Sequence, residues 1–125
     1  MPKRVITGNG IEPSGLPFSQ VVEANGLVFL AGQVGNVPGQ GRIDGDFEVE
    51  VRQMLDNVGR LLRAVGLDYG DVVKATVYLV DFDLFPRMNA VYSEYFPTEP
   101  PTRATVGVTS LVANYRVEIE VVATR

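Results

Sequence analysis

Asp46-Phe47-Glu48-Val49-Glu50-Val51-Arg52-Gln53-Met54-Leu55-Asp56-Asn57-Val58-Gly59-Arg60-Leu61-Leu62-Arg63-Ala64-Val65-Gly66-Leu67 is the stretch on which the fold turns. Phe47, Val51, Met54, Leu55, Val58, Leu61, Leu62 and Val65 recur at steps of three and four, the period of one helical face. Asp44 or Asp46 is placed to cap the start, Arg60 and Arg63 suit the negative end, and Gly66 can take the left-handed position that closes a helix. A stripe this continuous must be buried, so the flanking sequence has to supply a second layer.

Upstream, Asn25-Gly26 stands between two β-prone runs, Phe18–Ala24 and Leu27–Val34, and readily supplies the positive φ angles of a two-residue hairpin turn. Leu27 to Ala31 is apolar at successive positions, which predicts a strand covered on both faces. Pro38, Gly39 and Gly41 predict a loop. Downstream, Asp71–Val80 is β-branched and apolar and predicts a central strand. Phe85, Met88, Val91, Tyr92, Tyr95 and Phe96 mark a second helix, capped by Asp81 or Asp83, with Pro86 in its first turn and Pro97 at its end. Thr102–Val108 and Tyr115–Ala123 predict two more strands around the loop 109–114. The order ββαβαββ, with two helices on one side of a mixed sheet, is a two-layer α+β sandwich.

The 125 residues suit a single domain, 1–125, that buries roughly two-thirds of its unfolded surface without disulfide or metal staples. No composition shift, repeat or low-complexity segment divides the chain. The absence of Cys excludes thiolate nucleophiles, and the absence of His excludes imidazole acid–base chemistry, leaving carboxylates, Arg, Lys, Tyr, hydroxyls, backbone groups and water. Eleven basic against 15 acidic residues give a net charge of −4, the wrong sign for a protein whose affinity rests on neutralising phosphates, so nucleic acid is a disfavoured partner. Met1–Gly15 lacks the unbroken apolar run of a secretory signal, which predicts a cytoplasmic protein with no membrane attachment.

Three polar residues stand where the patterns call for apolar ones. Asn89 falls between Phe85 and Tyr92 at the edge of the second helix's apolar arc, where its amide either lines a ligand site or ties down a loop. Arg103 shares a strand face with Thr105 and Gly107; its fork of donors beside small residues forms either a carboxylate pocket or a solvated surface cation. Glu118 alternates with Val117 and Ile119, and if the last two strands are neighbours it shares a wall with Arg103, as water-orienting acid or as structural ion pair. Glu120 competes for that role. The glycines at 8, 10, 35 and 41 match no phosphate-binding motif, and Asp81-Phe82-Asp83 lacks the further ligands of a calcium loop. The set Tyr92, Tyr95 and Phe96 has helical spacing and is assigned to the core.

Pro17-Phe18-Ser19-Gln20, Val28-Phe29-Leu30-Ala31-Gly32-Gln33-Val34, Val73-Lys74-Ala75-Thr76-Val77-Tyr78-Leu79, Met88-Asn89-Ala90-Val91-Tyr92, Pro101-Thr102-Arg103-Ala104-Thr105-Val106 and Val117-Glu118-Ile119-Glu120, in this order and spacing, resemble the RidA (YjgF) imine deaminases, also called endoribonuclease L-PSP-like proteins. The resemblance runs from about Leu16 to Ala123. It implies a chorismate-mutase-like α+β fold and a homotrimeric barrel with helices outside and ligand clefts between subunits. It implies hydrolysis of enamines or imines such as 2-aminoacrylate to 2-keto acids and ammonia, with no metal or cofactor. Carried over by motif, Arg103 clamps the substrate carboxylate, Glu118 positions water or shuttles its proton, and Phe18, Ala31, Gly32, Asn89 and Thr105 line the cleft. Phe18 and Ala31 stand where active relatives usually have Tyr and Ser, which points to a bulkier or less polar ligand, or to a paralogue that binds small keto acids with little or no turnover. A third activity attached to relatives, metal-independent cleavage of single-stranded RNA, fits the acidic charge least.

Overall fold

The computed structural model describes residues 2–42 and 44–125. In chain order the elements are β1 (Arg4–Ile6), β2 (Val21–Ala24), β3 (Leu27–Leu30), β4 (Asn36–Val37), β5 (Gly41–Arg42), α1 (Phe47–Ala64), β6 (Val72–Leu79), α2 (Phe85–Tyr95), β7 (Thr102–Gly107) and β8 (Val117–Thr124). One sheet runs β1-β2-β3-β8-β6-β7, and β4 pairs with β5 as a separate ribbon. Every pair in the sheet is antiparallel except β6 with β7, which α2 joins as a crossover. The fold is the expected α+β layering, extended by elements too short to carry a periodic signal: β1 and the β4–β5 ribbon. Edge strand β1 is tied to the body by ion pairs, with Glu23 held at 2.8 Å by both Arg4 and Arg125.

Asn25 and Gly26 turn the β2–β3 hairpin with φ of 53° and 77°, as the dipeptide predicts. Its arms are shorter than the β-prone runs, because the chain bends at Leu16–Phe18 and leaves the ladder after Leu30. Only Gln33, bridged to Ile119, returns to the sheet. In α1 the Asp46 side chain makes no cap hydrogen bond; its backbone carbonyl instead accepts from Val49 and Glu50. Gly66, at φ 81°, closes the helix while the Leu67 N–H reaches back to Leu62 at 2.9 Å. Asp81 caps the short turn Phe82–Leu84 ahead of α2 rather than α2 itself.

The buried faces of α1 and α2 cover one side of the sheet, where Val28, Leu30, Val77, Leu79, Val117, Ile119 and Val121 are buried. The two-sided burial expected for Leu27–Ala31 is not met within one chain. Leu27 and Phe29 lie exposed on the open side, because both helices pack against the other face.

Buried polar anchors position the loops at one end of the sheet. The Glu50 carboxylate on α1 accepts from Arg116 Nε at 2.6 Å and from the backbone N–H groups of Arg116 and Val117 at 2.7 and 3.3 Å, fixing the start of β8. The Asn57 amide donates to the carbonyls of Val34 at 2.9 Å and Asn36 at 2.8 Å. Gly35 passes so close to α1 that a Cβ there would lie 2.6 Å from the Glu50 carbonyl oxygen.

Candidate active site

Alternation along β8 turns Val117, Ile119 and Val121 under the helices and Glu118 and Glu120 to the open side. Glu118 is half-buried at the edge of a cavity of about 570 Å³, whose wall includes Phe18, Phe29, Leu30, Ala31, Gly32 and Val112. The carboxylate rests against Gly32: a Cβ at that position would overlap Oε2 and stand 3.1 Å from the carboxyl carbon. Gly32 is thus required by close approach rather than by backbone conformation. Burial, and secondarily the negative charge of Glu120, push the Glu118 pKa up. A carboxylate raised in this way is a better proton acceptor. Glu120, by contrast, is exposed and accepts a hydrogen bond from the Tyr78 hydroxyl.

Arg103 lies elsewhere. Its register partner on β6 is Ala75, on the helix-covered side, whereas the partner of Glu118 is Tyr78, on the open side. The expectation that Arg103 and Glu118 share one wall is therefore overturned within the chain, since β6 separates β7 from β8. They sit two strands and three residues apart, about 10 Å in each direction, on opposite faces. The guanidinium carbon of Arg103 is 4.7 Å from the centre of the Tyr92 ring and 5.6 Å from that of Phe85. These rings are backed in turn by Phe96, 4.6 Å from Tyr92, and Phe82, stacked at 5.1 Å on Phe85. No carboxylate among the described residues forms an ion pair with Arg103. A cation held on aromatic faces keeps its in-plane N–H donors free for an anion.

Asn89, half-buried, falls between Phe85 and Tyr92 on the helix face turned to Arg103, and half-buried Thr105 follows Arg103 on the same strand face. The predicted residues thus form two half-sites. Phe18, Ala31, Gly32 and Glu118 surround the open-side cavity; Asn89, Arg103 and Thr105 gather at the β7 edge.

Sequence reasoning misses four contributors. Phe85 is read as marking the second helix's apolar arc and Tyr92 as core, and Tyr92 is buried, yet both also carry Arg103; their shared spacing with Asn89 was the available signal. Leu16 and Val112 lie in loops without periodicity and join the cavity wall only in three dimensions. Among the described residues no group of three or more acidic side chains converges as a metal site.

The sequence profile described as Endoribonuclease L-PSP matches residues 9–125. The chain belongs to the endoribonuclease L-PSP family. Within this family it is 40% identical over 124 residues to Reactive Intermediate Deaminase A, chloroplastic, of Arabidopsis thaliana, covering 98% of this chain and 66% of that one. It is 41% identical over 108 residues to the 2-iminobutanoate/2-iminopropanoate deaminase of Bos taurus, covering 86% of this chain and 79% of the relative. The crystal structure of E. coli TdcF with bound serine superposes with a TM-score of 0.89 at 33% identity, covering 98% of each chain. The resemblance to RidA proteins read from the sequence motifs is met by these endoribonuclease L-PSP relatives.

Proposed function

We propose that this protein hydrolyses enamines or imines of small 2-keto acids to the keto acid and ammonia, in clefts formed between copies of a homotrimer. One observation carries the reading. Among the described residues, the cavity holding the raised carboxylate of Glu118 is lined by no cation, and Arg103, without a carboxylate partner, is presented on the opposite face at the β7 edge. An anionic imino acid needs both groups, and a second copy supplies the missing half. The exposed Leu27 and Val106 on the open side, outside the cavity wall, support such an association. The names of the relatives support the substrate class: the bovine protein is a 2-iminobutanoate/2-iminopropanoate deaminase, and TdcF binds serine.

The Arg103 fork clamps the substrate carboxylate, with Asn89 and Thr105 beside it. Glu118 takes a proton from water as the water oxygen bonds to the iminium carbon, giving a carbinolamine. The protonated Glu118 then passes its proton to the amine nitrogen. The C–N bond breaks with ammonia as the leaving group while the Glu118 carboxylate takes the hydroxyl proton, and the released ammonia takes up that proton as ammonium. Glu118 is preferred to Glu120 for this work because Glu118 lines the cavity and the Tyr78 hydroxyl occupies Glu120.

The test is pyruvate release with a 2-aminoacrylate-generating lyase, with and without the protein. A guanidinium–carboxylate pair in a partly desolvated cleft contributes about 2–4 kcal/mol, so Arg103→Ala should lower kcat/KM about 30- to 1000-fold, and Arg103→Lys should recover only part. Glu118→Ala should depress kcat more than binding. Saturable keto-acid binding with no acceleration would instead make the protein a binding module. An Arg103→Ala variant that folds, binds and turns over like the parent would remove the anion pocket altogether.

A further inference from the structure

The cavity around Glu118 has a wall that hydrolysis itself does not use. Leu16, Phe18 and Val112 are 66%, 51% and 66% exposed, yet they come from two separate loops to line one cavity of about 570 Å³. Phe29, Leu30 and Ala31 continue the same apolar surface, and the polar side chains on it are Ser19 and Glu118. Large apolar groups left in water around a concavity mark a binding surface for an apolar group.

Both loops are held in place. The Ser14 hydroxyl lies 3.0 and 2.7 Å from the carbonyls of Leu16 and Phe18 and accepts the Leu16 N–H at 3.1 Å. Arg42 donates to the carbonyls of Ala113 and Asn114, each at 2.9 Å, and its guanidinium lies over the Tyr115 ring at 5.1 Å. That clamp holds Ala113 at φ 50°, a conformation a non-glycine residue adopts only when its surroundings impose it. Val112, one residue earlier, is fixed on the cavity wall by the same contacts.

We infer that this cleft takes 2-imino acids with branched aliphatic or aromatic side chains in preference to those of three carbons. The inference rests on the cleft being a 2-imino acid site, and the side chain occupies the wall formed by Leu16, Phe18, Phe29, Ala31 and Val112. A methyl group covers little of that wall; an isobutyl or benzyl group covers much more. The reaction is unchanged, giving the keto acid with the same side chain and ammonium.

Two measurements separate this inference from the deaminase reading. The first is calorimetric titration of the protein with pyruvate, 4-methyl-2-oxopentanoate and phenylpyruvate. The second is turnover of the matching imines, generated by an amino-acid oxidase. Each buried methylene contributes about fourfold, so the three extra carbons of an isobutyl over a methyl group should tighten binding on the order of fiftyfold. Val112→Ser, at an exposed loop position, should flatten the series. Affinity that is equal or falling along the series overturns the side-chain preference even where imines are hydrolysed. Rising affinity without hydrolysis keeps the preference and overturns the deaminase reading. A preference undiminished in Val112→Ser overturns the assignment of the wall, and failure of every keto acid to bind overturns both proposals.

Discussion

Mixing two inactive variants should restore activity, because the two half-sites face opposite sides of the sheet. Glu118 pairs with Tyr78 on the open side and Arg103 with Ala75 on the helix side, so no single chain brings them together. If each cleft takes Glu118 from one copy and Arg103 from the next, Arg103→Ala and Glu118→Ala chains complement each other. In a random equal mixture of any closed ring, half of the copies offering Glu118 carry it intact. Half of their neighbours carry Arg103 intact, so about a quarter of the clefts are complete. Co-expression with two different tags, with mixed assemblies isolated on both tags, gives the material; initial rates of imine hydrolysis give the readout. Every mixed trimer isolated in this way has one complete cleft in three, so against an Arg103→Ala parent assembly reduced to about 3% or less by a loss of about 2–4 kcal/mol, and an impaired Glu118→Ala assembly, recovery to about a third is unmistakable. Mixed assemblies that stay at the level of the single variants would refute the shared cleft. Full activity in either variant alone would refute the roles assigned to Arg103 and Glu118.

Four further outcomes rest on the same geometry. Gly32→Ala places a Cβ against the Glu118 carboxylate at a residue without positive φ, so kcat should fall about 100-fold with little change in Tm; kinetics beside a thermal scan checks this, and a normal kcat would show that Glu118 position is unimportant. Tyr92→Leu removes one ring beneath Arg103 and should raise KM about 2- to 30-fold with kcat retained, whereas Tyr92→Phe, which keeps the ring, should restore KM; equal KM values in all three proteins would end the platform reading. Because Glu118 must be ionised to accept a proton and its pKa is raised by burial and by Glu120, kcat/KM should fall on the acid side above the usual carboxylate range, and Glu120→Gln should move that limb to lower pH. The same raised pKa means that the folded state gives up stability as pH rises through it, so Glu118→Gln should be more stable than the parent at pH 7 but not near pH 4, as denaturant titrations at the two pH values would reveal.

Local periodicity in this sequence was enough to determine the layers. The stripe from Phe47 to Val65, the Asn25-Gly26 turn and the β-branched run at 72–79 each satisfy their own backbone and face requirements over a few residues, so α1, the hairpin and β6 were legible. Alternation also assigned Arg103 and Glu118 to definite faces of their own strands. It left open which strand lies between them, because order within a sheet is set by long-range pairing that no local pattern encodes. The insertion of β6 between β7 and β8 puts the acid and the cation on opposite sides. The cavity wall was equally hidden: Leu16 and Val112 are separated by almost the whole chain and line one cavity from loops that Ser14 and Arg42 hold by hydrogen bonds. Residue identity thus determined which chemistry is available, whereas the tertiary pairing of strands and loops decided which groups meet, since contact between distant residues depends on packing rather than on spacing.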